Sequence, residues 1–102
     1  MTVSMQTTDG VATAYLMGEL DHHSAKLIRE QIDNTVNINR PQLLLLDFRD
    51  VSFMDSSGIG LVMGRYKLME NLEGEIKIVN PSPHIRKVMK LAGLDRLAKI
   101  DS

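Results

Sequence analysis

The sequence predicts one α/β domain built on a mainly parallel five-stranded sheet, and three observations predict it. The chain has 102 residues, 43% of them hydrophobic, which is enough for a single core. Strand-like and helix-like segments follow one another in the order ββαβαβαβ, and alternation of that kind implies parallel strands with right-handed crossovers. The most apolar segment, residues 42–48, holds four consecutive leucines (Leu43 to Leu46), a pattern expected of a central strand.

Each element has its own signal. Residues 3–7 and 11–17 read as two strands joined through Asp9-Gly10, a dipeptide suited to the positive φ angles of a tight hairpin. Residues 22–37 read as a helix, with Ala25, Ile28, Ile32 and Val36 spaced by three and four. Asp21 and Ser24 are both candidates for its N-cap, and Arg40-Pro41 lies beyond its end. Pro41 and the Asp-containing stretch after Phe48 leave residues 42–48 too short for a helix. A second helix over 57–72 carries the stripe Ile59, Val62, Met63, Tyr66 and Met69, with Gly74 as terminator. A strand over 75–79 follows. Ser82-Pro83 then supplies an N-cap and a proline at the first helical position of a third helix, lined by Ile85, Val88, Met89 and Ala92 and ended by Gly93. A last short strand spans 98–101.

Composition excludes several function classes. There is no cysteine, hence no disulfide, thiolate catalysis or cysteine-bound zinc. No apolar run approaches the roughly 18 residues of a membrane span, and no secretion signal is visible, so a cytoplasmic protein is expected. Residues 1–55 carry eight acidic and four basic side chains, and residues 56–102 carry five and eight. Neither half is charged enough, nor rich enough in aromatic residues, to point to nucleic acid.

Catalytic constellations are hard to assemble. His22 and His23 are adjacent and His84 is distant, so the spacing of a two-histidine metal site is missing. A serine-hydrolase elbow needs glycine two residues before its serine, and Met54 occupies that place before Ser56. Asp47 at a strand end invites comparison with a phospho-accepting aspartate. The acidic pair and the lysine such a site needs are lacking, so it reads as a structural turn carboxylate. Gly58-Ile59-Gly60, with Gly64 beyond, opens a helix after a strand. Such glycines bring backbone amides close to a phosphate, or else let a helix pack tightly on a sheet. Asp55-Ser56-Ser57-Gly58 is an N-cap sequence, and its helix start also suits an added phosphate, whose charge the helix dipole favours.

Gly18-Glu19-Leu20-Asp21-His22-His23, the leucine-rich strand, Ser52-Phe53-Met54-Asp55-Ser56-Ser57-Gly58-Ile59-Gly60 and Gly64-Arg65-Tyr66-Lys67 together resemble the anti-sigma factor antagonists of the STAS domain family. Asn80-Pro81-Ser82-Pro83, Arg86-Lys87-Val88 and Ala92-Gly93-Leu94 extend the resemblance over essentially the whole chain, residues 1–102. The resemblance implies a single STAS domain with helices largely on one side of the sheet and an antiparallel N-terminal strand. Similar proteins usually continue into a C-terminal helix, which is absent from this sequence. It implies a protein-binding switch without catalytic residues, metal or cofactor. The unphosphorylated form binds an anti-sigma factor that is also an ATP-dependent serine kinase, and the sigma factor is freed. Phosphorylation on Ser56 turns the switch off, and a serine phosphatase restores it. The partner-binding surface expected from the motifs comprises Asp21, His22, Asp55, Ser56, Ser57, Gly58 and Gly60. Control of sporulation is the expected role, with a general-stress sigma factor as the alternative. From another class, a small phosphate- or nucleotide-binding enzyme would have to rest on Gly58 and Gly60, with only Asp21 and Asp55 as acid or base.

Overall fold

The computed structural model describes residues 2–101. Its elements are β1 (Thr2–Thr8), β2 (Val11–Leu20), α1 (His22–Asn39), β3 (Leu43–Met54), α2 (Ser56–Asn71), β4 (Glu75–Val79), α3 (Pro83–Leu91), a 3-10 turn (Leu94–Arg96) and β5 (Lys99–Asp101). The strands lie in the order β1-β2-β3-β4-β5. Only the β1–β2 pair is antiparallel; β2–β3, β3–β4 and β4–β5 are parallel. Asp9 (φ 51°) and Gly10 (φ 81°) both take the left-handed conformation that the hairpin requires.

The core lies on one face of the sheet. Ala12, Ala14 and Leu16 of β2, Leu44, Leu46 and Phe48 of β3, and Ile76 and Ile78 of β4 alternate inward. They form one cluster with Ile28, Ile32 and Val36 of α1, Val62 and Met69 of α2, and Ile85 and Met89 of α3. The other face carries half-buried Leu43 and Leu45 beside exposed Tyr15 and Met17. The leucine run is the central strand expected of it, fully buried at Leu44 and Leu46 and half buried at Leu43 and Leu45.

The structure corrects four local readings. β3 runs on to Met54 instead of ending at Phe48, and Asp47 lies within it. There Asp47 Oδ1 accepts from the Arg49 N–H (2.9 Å) and from Asn80 Nδ2 (3.3 Å), tying the strand to the loop after β4. The buried stripe of α2 is Gly58, Leu61, Val62, Arg65 and Met69, while Met63 of the expected stripe is exposed. The helix is rotated because α2 packs on α1 as well as on the sheet, and Arg65 Nε meets Asp33 Oδ1 of α1 at 2.8 Å. Ala92 is exposed, because α3 ends at Leu91 and its next inward position is taken by Leu94 of the 3-10 turn.

Candidate functional site

β4 stops pairing with β3 at Asp47↔Val79, but β2 and β3 continue together to Leu20↔Met54. Along this extension β3 gains one residue on β2 twice, between Tyr15 and Met17 and between Gly18 and Glu19. Bulges of this kind twist the pair and re-aim its end. They bring Leu20 and Met54 level, and the Asp55 N–H donates to the Leu20 carbonyl (3.2 Å). Each strand then turns into a helix through one residue, Asp21 on one chain segment and Asp55 on the other. The two aspartates are therefore neighbours at the protruding end of the sheet.

Both are N-caps. Asp21 Oδ1 accepts from the N–H groups of His23 and Ser24, each at 3.0 Å, and Ser24 Oγ accepts from the Asp21 N–H at 3.1 Å, closing a capping box. The Ser24 N–H, seconded by that of His23, holds the Asp21 carboxyl below the usual carboxylate range. Asp55 Oδ1 accepts from the Ser57 N–H at 2.8 Å. A carboxylate thus faces each helix N-terminus, the placement the helix dipole favours.

Ser56, the first residue of α2, is exposed, and Ser57 is half buried. Gly58 is buried because the helix start lies against the strand ends: a Cβ there would fall on Met54 Cγ and Sδ and touch Leu20 Cδ2. Of the two readings of the glycines, close packing holds for Gly58. Gly60 and Gly64 differ, since a Cβ on either would meet nothing within 4 Å. Exposed Phe53 borders the same end of the sheet.

Asp21, His22, Asp55, Ser56, Ser57 and Gly58 come together at this end, and Gly60 lies one turn further along α2. Between α1 and α2 runs a groove of about 410 Å³, lined by His22, Ala25, Lys26 and Arg29 on one side and by Ser57, Gly60, Leu61, Gly64 and Arg65 on the other. Sequence reasoning missed Lys26 and Arg29. Their placement four and seven residues after His22, on one helix face, was the available signal, but only the packing of α2 shows that this face borders a groove. His84 is exposed in the first turn of α3 and lines no part of the groove between α1 and α2. Among the described residues no three His, Asp or Glu side chains converge as metal ligands, and no helix is long and apolar enough to cross a membrane.

An α/β sheet with an antiparallel first strand and two adjacent aspartate-capped helices is the frame on which comparison with known proteins rests. Residues 2–102 match the STAS domain, and the chain belongs to that family. It is 33% identical over 98 residues to the anti-sigma F factor antagonist of Paenibacillus polymyxa, covering 96% of this chain and 84% of that protein. It is 42% identical over 79 residues to the anti-sigma F factor antagonist of Lysinibacillus sphaericus, covering 78% and 68%. Among solved structures, the anti-sigma factor antagonist SpoIIAA in its unphosphorylated form superposes with a TM-score of 0.85 at 33% identity, over 99% of this chain and 89% of that one. The phosphorylated form of Bacillus SpoIIAA gives a TM-score of 0.77 at 34% identity, over 99% and 92%.

Proposed function

We propose that this protein is an anti-sigma factor antagonist switched by phosphorylation of Ser56. Unphosphorylated, it binds an anti-sigma factor with serine kinase activity through the surface around Asp21 and Asp55, and the sigma factor is released. The observation that carries the reading is the exposed Ser56 at the first position of α2, beside two carboxylate caps. It stands in a chain similar to a protein known in phosphorylated and unphosphorylated forms. The similarity to anti-sigma F factor antagonists favours sporulation over general stress as the pathway.

The switch acts through local charge. A phosphoserine brings about −1.5 to −2 charges at neutral pH. At the N-terminus of α2 that charge is favoured by roughly 0.3–1 kcal/mol, while Asp21 and Asp55 oppose it, so the fold changes little. The partner must present its ATP γ-phosphate to the same hydroxyl, so a phosphate already there repels it. A loss of about 3 kcal/mol lowers affinity by about two orders of magnitude. A serine phosphatase resets the switch.

The test is incubation with the cognate anti-sigma factor and ATP, followed by peptide mass spectrometry. Phosphate is expected on Ser56; phosphate only on Ser57, or none, refutes the assignment. Ser56→Asp should bind the anti-sigma factor poorly, and Ser56→Ala should bind and stay active. Incubated alone with ATP or GTP, the chain should release no product. Hydrolysis that Asp21→Asn or Asp55→Asn abolishes would instead establish an enzyme.

A further inference from the structure

The groove between α1 and α2 borders the capped first turn of α2 at Ser57 and the core at Leu61, and its rim is exposed at Lys26, Arg29 and Gly60. Its walls have one sign of charge. His22, Lys26 and Arg29 project from one face of α1 at spacings of four and three, and Lys26 and Arg29 are exposed. No carboxylate lines it. Asp33 of α1 is paired with Arg65 at 2.8 Å and also faces Arg29, so one carboxylate stands against three cations and the lining keeps a net positive charge. Between Ser57 and Arg65 the opposite wall is low and apolar: Gly60 and Gly64 present backbone and Leu61 lies between them. A helix that keeps two glycines at interior positions forgoes about 1 kcal/mol each against alanine. Packing does not demand either, since both have open space where a side chain would stand. The volume, about 410 Å³, lies in the range of formed ligand sites, about 300–1,000 Å³. Ser57 lines the groove, so it opens directly beside Ser56.

We propose that this groove docks an acidic segment of the partner protein, whose Asp or Glu side chains pair with Lys26 and Arg29 while its backbone or a small apolar side chain lies against Gly60 and Gly64. The inference rests on the reading of Ser56 as the switch. It adds a reason why phosphorylation ejects the partner. A phosphate on Ser56 stands at the mouth of the groove, where it competes with the acidic segment for the same cations. Charge complementarity selects a peptide segment over an apolar one, and the apolar glycine wall selects it over a free anion, which would leave that wall uncovered.

The test measures binding of the full chain to its cognate anti-sigma factor by calorimetry at two salt concentrations. Two groove variants attack different properties: Lys26→Glu with Arg29→Glu reverses the charge at exposed positions, and Gly64→Leu fills the space with a good helix former. Lys87→Glu with Lys90→Glu on α3 makes the same charge change elsewhere. Both groove variants should weaken binding about tenfold or more, with unchanged or raised melting temperature for Gly64→Leu, and the charge reversal should flatten the salt dependence. The α3 variant should bind within about twofold of the wild type. Wild-type binding that both groove variants preserve overturns the groove and leaves the switch standing; failure of the wild type to bind overturns both. A loss confined to the ATP-loaded partner would assign the cations to nucleotide phosphates and overturn the acidic segment.

Discussion

Replacing glycine with alanine at three places in α2 should give opposite signs within one helix. At Gly60 and Gly64 a new Cβ meets nothing within 4 Å. Only the backbone term remains, and alanine should stabilise by about 0.5–1 kcal/mol at each. At Gly58 the same gain is opposed by collision. The Cβ would stand 3.0 Å from Leu20 Cδ2 and 2.7 Å from Met54 Sδ, and closer still to Met54 Cγ. Both neighbours are themselves core residues at the paired ends of β2 and β3, Leu20 fully buried and Met54 8% exposed. Met54 cannot swing clear at its γ carbon without leaving that core, so the overpacking cost of about 1–3 kcal/mol applies. The net effect of Gly58→Ala is a loss of about 1 kcal/mol or more, which for a domain of this size lowers the melting temperature by about 4–8 °C. Thermal and urea melts of the three variants measure it. A Gly58→Ala protein that melts at or above the wild type would show that α2 does not rest on the strand ends as described. Because Ser56 and Ser57 ride on that first turn, Gly58→Ala should also slow phosphorylation of Ser56.

Other expectations concern charge. Arg65 is 7% exposed at its side chain and Asp33 30% exposed, so Asp33→Ala strands a buried guanidinium and should cost about 3 kcal/mol, more than Arg65→Met. The double variant should recover most of the loss, and strictly additive effects in a double-mutant cycle would refute the pairing. Asp21 and Asp101, the latter paired with Lys77 at 2.7 Å, have carboxyls held below the ordinary value of 3.8. Their contribution is present above that value and is lost as pH falls below it, so Asp21→Asn should flatten the acid limb of the stability curve. Either cap variant, Asp21→Ala or Asp55→Ala, should cost about 1 kcal/mol in a chemical melt.

Much of this molecule is local, and what is local is legible. The i, i+4, i+8 series Ile28, Ile32, Val36 set α1, Asp9-Gly10 set the hairpin, and Ser82-Pro83 set the start of α3. Motif resemblance pointed to Asp21, Asp55 and Ser56, and the caps at Asp21 and Asp55 follow from short-range hydrogen bonding. The far half of β3 was not legible. Two bulges break the period of two, so that Val51 and Met54 are buried three residues apart, and Arg49, Asp50 and Ser52 are weak strand formers held by pairing with β2. That pairing alone places the two aspartates side by side. The inward face of α2 was misread for a similar reason. Periodicity finds an apolar stripe, but Arg65 is buried because α1 brings Asp33 opposite it, and a charge pair between helices leaves no trace in either helix's own pattern. The groove belongs to the same class. Glycine, lysine and arginine are ordinary residues on separate helices, and only the distance between two packed backbones turns them into a surface that a partner can enter.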